Sequence, residues 1–134
     1  MTPPRSPGRP AGIAVAALIV LALSAGPVSA SDDDKEVRRE GTCGQTTEWK
    51  VKAKKDDGRI EFEGEIDSNR NGQTWRWKMK HNGSISAQGT ATTRAPSGSF
   101  DVERKLADLS GTDMLVFKAK NPATGERCRG AIAF

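Results

Sequence analysis

From Thr46 to Phe134 apolar and polar residues alternate with period two in short runs, and no stretch shows the 3.6-residue period of an amphipathic helix. Trp49, Val51 and Ala53 interleave with Lys50, Lys52 and Lys54. Ile60, Phe62, Gly64 and Ile66 interleave with Glu61, Glu63, Glu65 and Asp67. Between these runs stands Asp57-Gly58, a pair that suits a two-residue hairpin turn. Closing the hairpin there sets Ala53 against Phe62 and Trp49 against Ile66 on one face. On the other face it sets Lys54, Lys52 and Lys50 against Glu61, Glu63 and Glu65. Such opposite-charge pairs contribute about 0.2–1 kcal/mol each.

The same alternation continues to the end of the chain. Thr74 to His81 places Trp75, Trp77 and Met79 on one face and Arg76, Lys78 and Lys80 on the other. A three-residue loop after His81 would set Trp77 against Gly89 and Trp75 against Ala91, large rings over small residues as a packed interior requires. Phe100 and Val102 mark a fifth strand and Met114 to Lys120 a sixth. Arg127 to Phe134 is the seventh, with Cys128, Gly130, Ile132 and Phe134 on one side and Arg127, Arg129, Ala131 and Ala133 on the other. Seven short strands with Pro or Gly in most turns imply a seven-stranded immunoglobulin-like antiparallel β-sandwich, with a small β-barrel as the alternative.

The first thirty residues are a different kind of sequence. Arg5 and Arg9 precede an apolar run from Ile13 to Leu23, and Val28-Ser29-Ala30 fits a small-x-small cleavage site. The run is shorter than the roughly 20 apolar residues that span a bilayer. Residues 1–30 therefore read as a signal peptide cleaved after Ala30, leaving a secreted protein with no membrane span. Lys plus Arg then falls from 21 to 19 against 17 acids, so the mature charge is about +2, not +4. That balance does not indicate a nucleic-acid binder. Residues 31–42, SDDDKEVRREGT, hold Val37 as their one large apolar residue and read as a flexible charged leader. The folded domain is expected over residues 43–134, as a monomer.

Cys43 and Cys128 are the only cysteines, and both lie in the exported part. In an oxidising compartment the simplest reading of such a pair is a disulfide, here tying the start of the domain to its last strand. A metal site would lack partners, since His81 is the only histidine. No metal and no cofactor is expected. His81 stands beside Asn82-Gly83 and reads as a solvated turn residue; no hydroxyl, thiol and base are grouped at a motif's spacing, and the protein reads as a non-enzyme.

Three resemblances add to this. Leu109-Ser110-Gly111-Thr112-Asp113 into Phe117-Lys118-Ala119-Lys120-Asn121, then Gly125-Glu126, resembles the last hairpin of immunoglobulin-like domains. Gly41-Thr42-Cys43 near the mature start and Gly125-Glu126-Arg127-Cys128-Arg129-Gly130 near the end resemble a layout found in small secreted actinobacterial proteins, which implies export and a compact β domain but no activity. Trp75-Arg76-Trp77 is similar to the aromatic-Arg-aromatic triplet of small secreted amylase inhibitors, although those carry four cysteines and show the triplet at an exposed turn.

The basic rows carry the leading functional expectation. Arg76, Lys78 and Lys80 form one outward row, and Arg127 and Arg129 form a second. On one sheet face they would suit a protein or an anionic cell-surface polymer; on any strand they would also serve simply to keep it soluble. The alternatives are a hydrolase inhibitor acting through Ser68 to Gln73 or Arg94 to Gly98, and a carbohydrate-binding module stacking sugars on Trp75 and Trp77.

Overall fold

The structure, a computed structural model, describes residues 35–44 and 46–134, together with Pro3, Pro4, Gly8 and Gly12. The signal peptide expected over residues 1–30, those four residues apart, and the first part of the leader lie outside the described residues.

Eight strands form two antiparallel four-stranded sheets: β1 (Glu36–Thr42), β2 (Glu48–Asp56), β3 (Arg59–Asp67), β4 (Thr74–His81), β5 (Ser84–Thr92), β6 (Ser99–Ala107), β7 (Met114–Lys120) and β8 (Arg127–Ala133). The first sheet has the order β1-β2-β3-β6 and the second β5-β4-β7-β8. The chain passes between sheets after β3, after β5 and after β6. The two sheets stack face to face as a β-sandwich and do not close into a barrel.

The period-two pattern fixes which side of each strand enters the interior. Val51, Ala53, Ile60, Phe62 and Ile66 of the first sheet meet Trp75, Trp77, Met79, Leu115, Phe117 and Ile132 of the second, all buried. The β2–β3 register is the one the Asp57-Gly58 turn implies: Trp49 faces Ile66, Ala53 faces Phe62 and Lys52 faces Glu63. Asp57 and Gly58 both have positive φ, 49° and 72°, which is the backbone twist that hairpins of this length favour.

Trp75 does face Ala91, and Trp77 does face Gly89. The route differs from the expected three-residue loop. Asn82-Gly83 makes a two-residue turn, and the register shifts by a bulge between Met79 and Lys80. The extra residue is absorbed in the strand and not in the turn. Glycines let the sheets approach: a Cβ on Gly64 would lie 2.4 Å from the Phe117 ring, and one on Gly130 would lie 2.6 Å from Trp49.

Two expectations are corrected. The sandwich has eight strands, not seven, because Glu36–Thr42 of the supposed flexible leader pairs with β2 along its whole length, from Glu36 opposite Lys54 to Thr42 opposite Glu48. The domain thus begins at least at Glu36 and not at residue 43. Hydrophobicity was the wrong criterion there, since an edge strand is held by its backbone ladder and needs few apolar side chains. Val37, set opposite Ala53, and Gly41, set opposite Trp49, are enough to seat it. The disulfide between Cys43 and Cys128, with Cα atoms 5.0 Å apart, anchors the end of β1 to β8 and so joins the two sheets.

Candidate functional site

The five basic residues singled out from the sequence share the outer face of the second sheet. Arg76, Lys78 and Lys80 come from β4, and Arg127 and Arg129 come from the edge strand β8. These strands are not neighbours. Between them runs β7, whose Lys118 and Lys120 point the same way and fill the gap. Arg76 pairs in register with Lys120, and Lys120 with Arg127; Lys78 pairs with Lys118, and Lys118 with Arg129. The result is a grid of two transverse rows of three cations.

The grid exists because inward and outward residues alternate on all three strands. Trp75, Trp77, Phe117, Ala119, Cys128 and Gly130 turn inward and are buried, so Arg76, Lys78, Lys118, Lys120, Arg127 and Arg129 must turn outward, and all six are exposed. An open groove runs between the two rows, with Ala119 and Cys128 beneath it. Lys80 stands apart. It follows the bulge, is half-buried, and lies between Ile85 and Val116 at the less basic end of the face.

No Asp or Glu occurs in β4, β5, β7 or β8. The acids in the segments that flank them are engaged elsewhere. Asp108 Oδ2 lies 3.2 Å from Lys55 Nζ, Asp113 Oδ1 lies 2.5 Å from His81 Nε2, and Glu126 Oε1 accepts from the Thr47 hydroxyl at 2.6 Å. Among the described residues, none of the six grid cations has an ion-pair partner. Cross-strand neighbours in a sheet have Cβ atoms about 5 Å apart, and like charges directly opposite one another are destabilising. The face therefore holds unneutralised charge at a cost to the fold.

The first sheet is the contrasting case. Its outer face carries Lys52–Glu63 at 2.7 Å, Lys50–Glu65 at 3.5 Å and Lys105–Asp56 at 2.7 Å. The hydrogen bond from Lys105 holds the Asp56 carboxyl below its ordinary value, and the bond to Glu63 holds Lys52 above its own. Glu103 is pushed up, first by burial and then by the nearby charges of Glu61 and Glu63.

The other candidates fall differently. Trp75 and Trp77 are 0% and 4% exposed, so their rings form the core and offer no stacking platform for a sugar. His81 is not solvated: its side chain is 9% exposed and bound to the buried Asp113 at the end of β4. Asp113 also exchanges both backbone hydrogen bonds with Phe134, while its Oδ2 has no partner among the described residues. The two candidate inhibitor loops lie against each other. The Ser68 hydroxyl donates to the Gly98 carbonyl at 3.2 Å, and the Thr93 hydroxyl donates to the Arg70 carbonyl. Among the described residues no group of three or more His, Cys, Asp or Glu could hold a metal ion, and no helix is long and apolar enough to cross a membrane.

Lys118 and Lys120 are the residues sequence reasoning missed. Their outward alternation is plain in Phe117-Lys118-Ala119-Lys120, but only the strand order β4-β7-β8 shows that they bridge the two rows already suspected. No family model, no curated protein and no solved structure matches the chain.

Proposed function

We propose that this is a secreted, non-enzymatic binding module that holds an anionic cell-surface polymer on the outer face of its second sheet. One observation carries the reading: six exposed cations in register on β4, β7 and β8, with no acid in that sheet's strands and, among the described residues, no ion-pair partner for any of the six. A face that only kept strands soluble would gain from mixed signs, as the first sheet has. A polyanion would remove the repulsion among the six cations, so binding and stability are linked. Export is part of this reading and is supported by the Cys43–Cys128 disulfide, which belongs to oxidising compartments.

We also read the sandwich as immunoglobulin-like. Counting from β2, the first, second and fifth strands share one sheet and the third, sixth and seventh the other, as in immunoglobulin domains. The fourth, β5, joins β4 and not β6, and β1 is an addition at the edge.

Binding of the mature protein to anionic cell-wall fractions at low and high salt tests the function. Retention at low salt and release at high salt is expected, as is loss of retention in Arg76→Ser/Lys78→Ser. Unchanged binding by that variant would remove the basic face from the account.

A second reading, inhibition of a secreted hydrolase, is favoured by the hydrogen bonds that join residues 68–73 to residues 93–98 into one preorganised surface. Titration against a panel of extracellular proteases and glycosidases, with no inhibition of any, would eliminate it.

A further inference from the structure

The direction of the groove says how such a ligand would lie. Resting on the binding function proposed above, we infer that the second sheet takes a linear, phosphate-bearing polyanion laid across the strands, its successive anionic groups seated between the pairs Arg76/Lys78, Lys120/Lys118 and Arg127/Arg129.

Three observations support the transverse path. First, the register aligns the cations into two parallel rows crossing β4, β7 and β8, and the groove lies between these rows and not along any one strand. Strands are spaced about 4.8 Å apart, so the three pairs span about 10 Å, with about 6.8 Å between the two members of each pair. Second, the floor is clear. Ala119 and Cys128 beneath the groove send their side chains into the core, being 3% exposed each, so no side chain rises between the rows. Third, the competing lengthwise path along β4 breaks down at its end. Lys80 is half-buried and is flanked by Val116 and by Ile85, which is 51% exposed. A chain following β4 would leave the cations after two residues and run onto an apolar surface.

The chemistry of the anion follows from the two-sided trough. A phosphate in a chain presents oxygens on both sides of the backbone and can reach both members of a pair. A pendant carboxylate offers both oxygens in one direction and reaches one row. Arg76, Arg127 and Arg129 supply the planar fork that binds phosphate through two parallel hydrogen bonds, while Lys78, Lys118 and Lys120 act as point charges. Repeating phosphates multiply the effect, since each group bound raises the effective concentration of the next.

The test uses the whole mature protein with linear inorganic polyphosphate as the probe, and measures affinity by titration calorimetry at fixed low salt. Wild type should bind polyphosphate more tightly than orthophosphate by at least tenfold, and more tightly than polygalacturonate. Arg127→Ser/Arg129→Ser and Lys118→Ser/Lys120→Ser should each lose at least tenfold, whereas Lys80→Ser should stay within about twofold. If Lys80→Ser loses as much as the β8 pair, the chain runs along β4 and the transverse path is wrong. Equal affinity for polygalacturonate would overturn the phosphate assignment. If wild type binds neither polymer, the binding function itself fails, which is a separate result. Thermal melts of each variant confirm that a lost affinity is not a lost fold.

Discussion

The two sheets of this sandwich are built alike and charged differently. Each has four antiparallel strands, one buried face and one wet face, yet the wet face of the first sheet intersperses lysines with carboxylates, whereas the strands of the second carry cations and no carboxylate. In the first sheet opposite charges meet across strands, at Lys52–Glu63 and Lys105–Asp56, although Glu63 also faces Glu103 and Glu65 faces Asp101. In the second the same cross-strand geometry sets Arg76 beside Lys120 and Lys118 beside Arg129. The near balance of 21 basic against 17 acidic residues conceals this, because the whole chain averages over two faces of different charge. The lesson is that net charge constrains a binding reading only after the charges have been sorted by face.

The comparison depends on the sheets remaining stacked, so the largest expected effect is on the link between them. Removing the Cys43–Cys128 disulfide, which closes a separation of 85 residues, should cost about 4 kcal/mol in the chain-entropy picture. Chemical denaturation of Cys43→Ser/Cys128→Ser measures it, and a loss below about 1 kcal/mol would show that the sheets hold together without the staple. Next comes the acid that closes the end of the second sheet. His81→Ala would leave Asp113, 1% exposed, without its partner, at a cost of about 1–3 kcal/mol for a buried polar group left unsatisfied. His81→Gln, which can still donate, should recover part of that loss.

Smaller effects test the contrast itself, because they differ in sign. Lys52→Gln in the first sheet breaks a pair and should lower the melting temperature. Lys118→Gln in the second relieves repulsion and should raise it, the underlying change in unfolding free energy being about 0.2–1 kcal/mol in each case. Added salt should shrink both differences. If both variants are destabilised alike, the second sheet is not under charge strain. The smallest effect concerns Glu103. Its carboxyl is raised above the ordinary value by burial and by Glu61 and Glu63, so its ionisation works against the fold. Its favourable contribution is present in acid, below the unfolded value, and is lost as pH rises through the raised folded value. Glu103→Gln should therefore stabilise at neutral pH by about 0.5 kcal/mol or less and make no difference near pH 3.

Much of this architecture was legible in the alternation of residues. The β2–β3 register, the burial of Trp75 and Trp77, and the Cys43–Cys128 link all follow from local pattern and redox arithmetic. What escaped was whatever depended on backbone pairing or on distant neighbours. Strand β1 has four charged residues in seven, and its place is set by hydrogen bonds that no side-chain pattern encodes. His81 looked solvated because Asp113, its partner, comes from the far end of the β6–β7 connection. The basic site was visible in halves, as Arg76, Lys78 and Lys80 and as Arg127 and Arg129. The Lys118 and Lys120 that join the halves gain meaning only when β7 is seen to run between β4 and β8.

The most direct test of the central claim is a backbone amide NMR titration of the mature protein with linear polyphosphate. Shifts that cluster on residues 76–78, 118–120 and 127–129, and fade on adding salt, are what a binding face on the second sheet predicts. Shifts that fall on β2 and β3, or no saturable shifts at low salt, would contradict it.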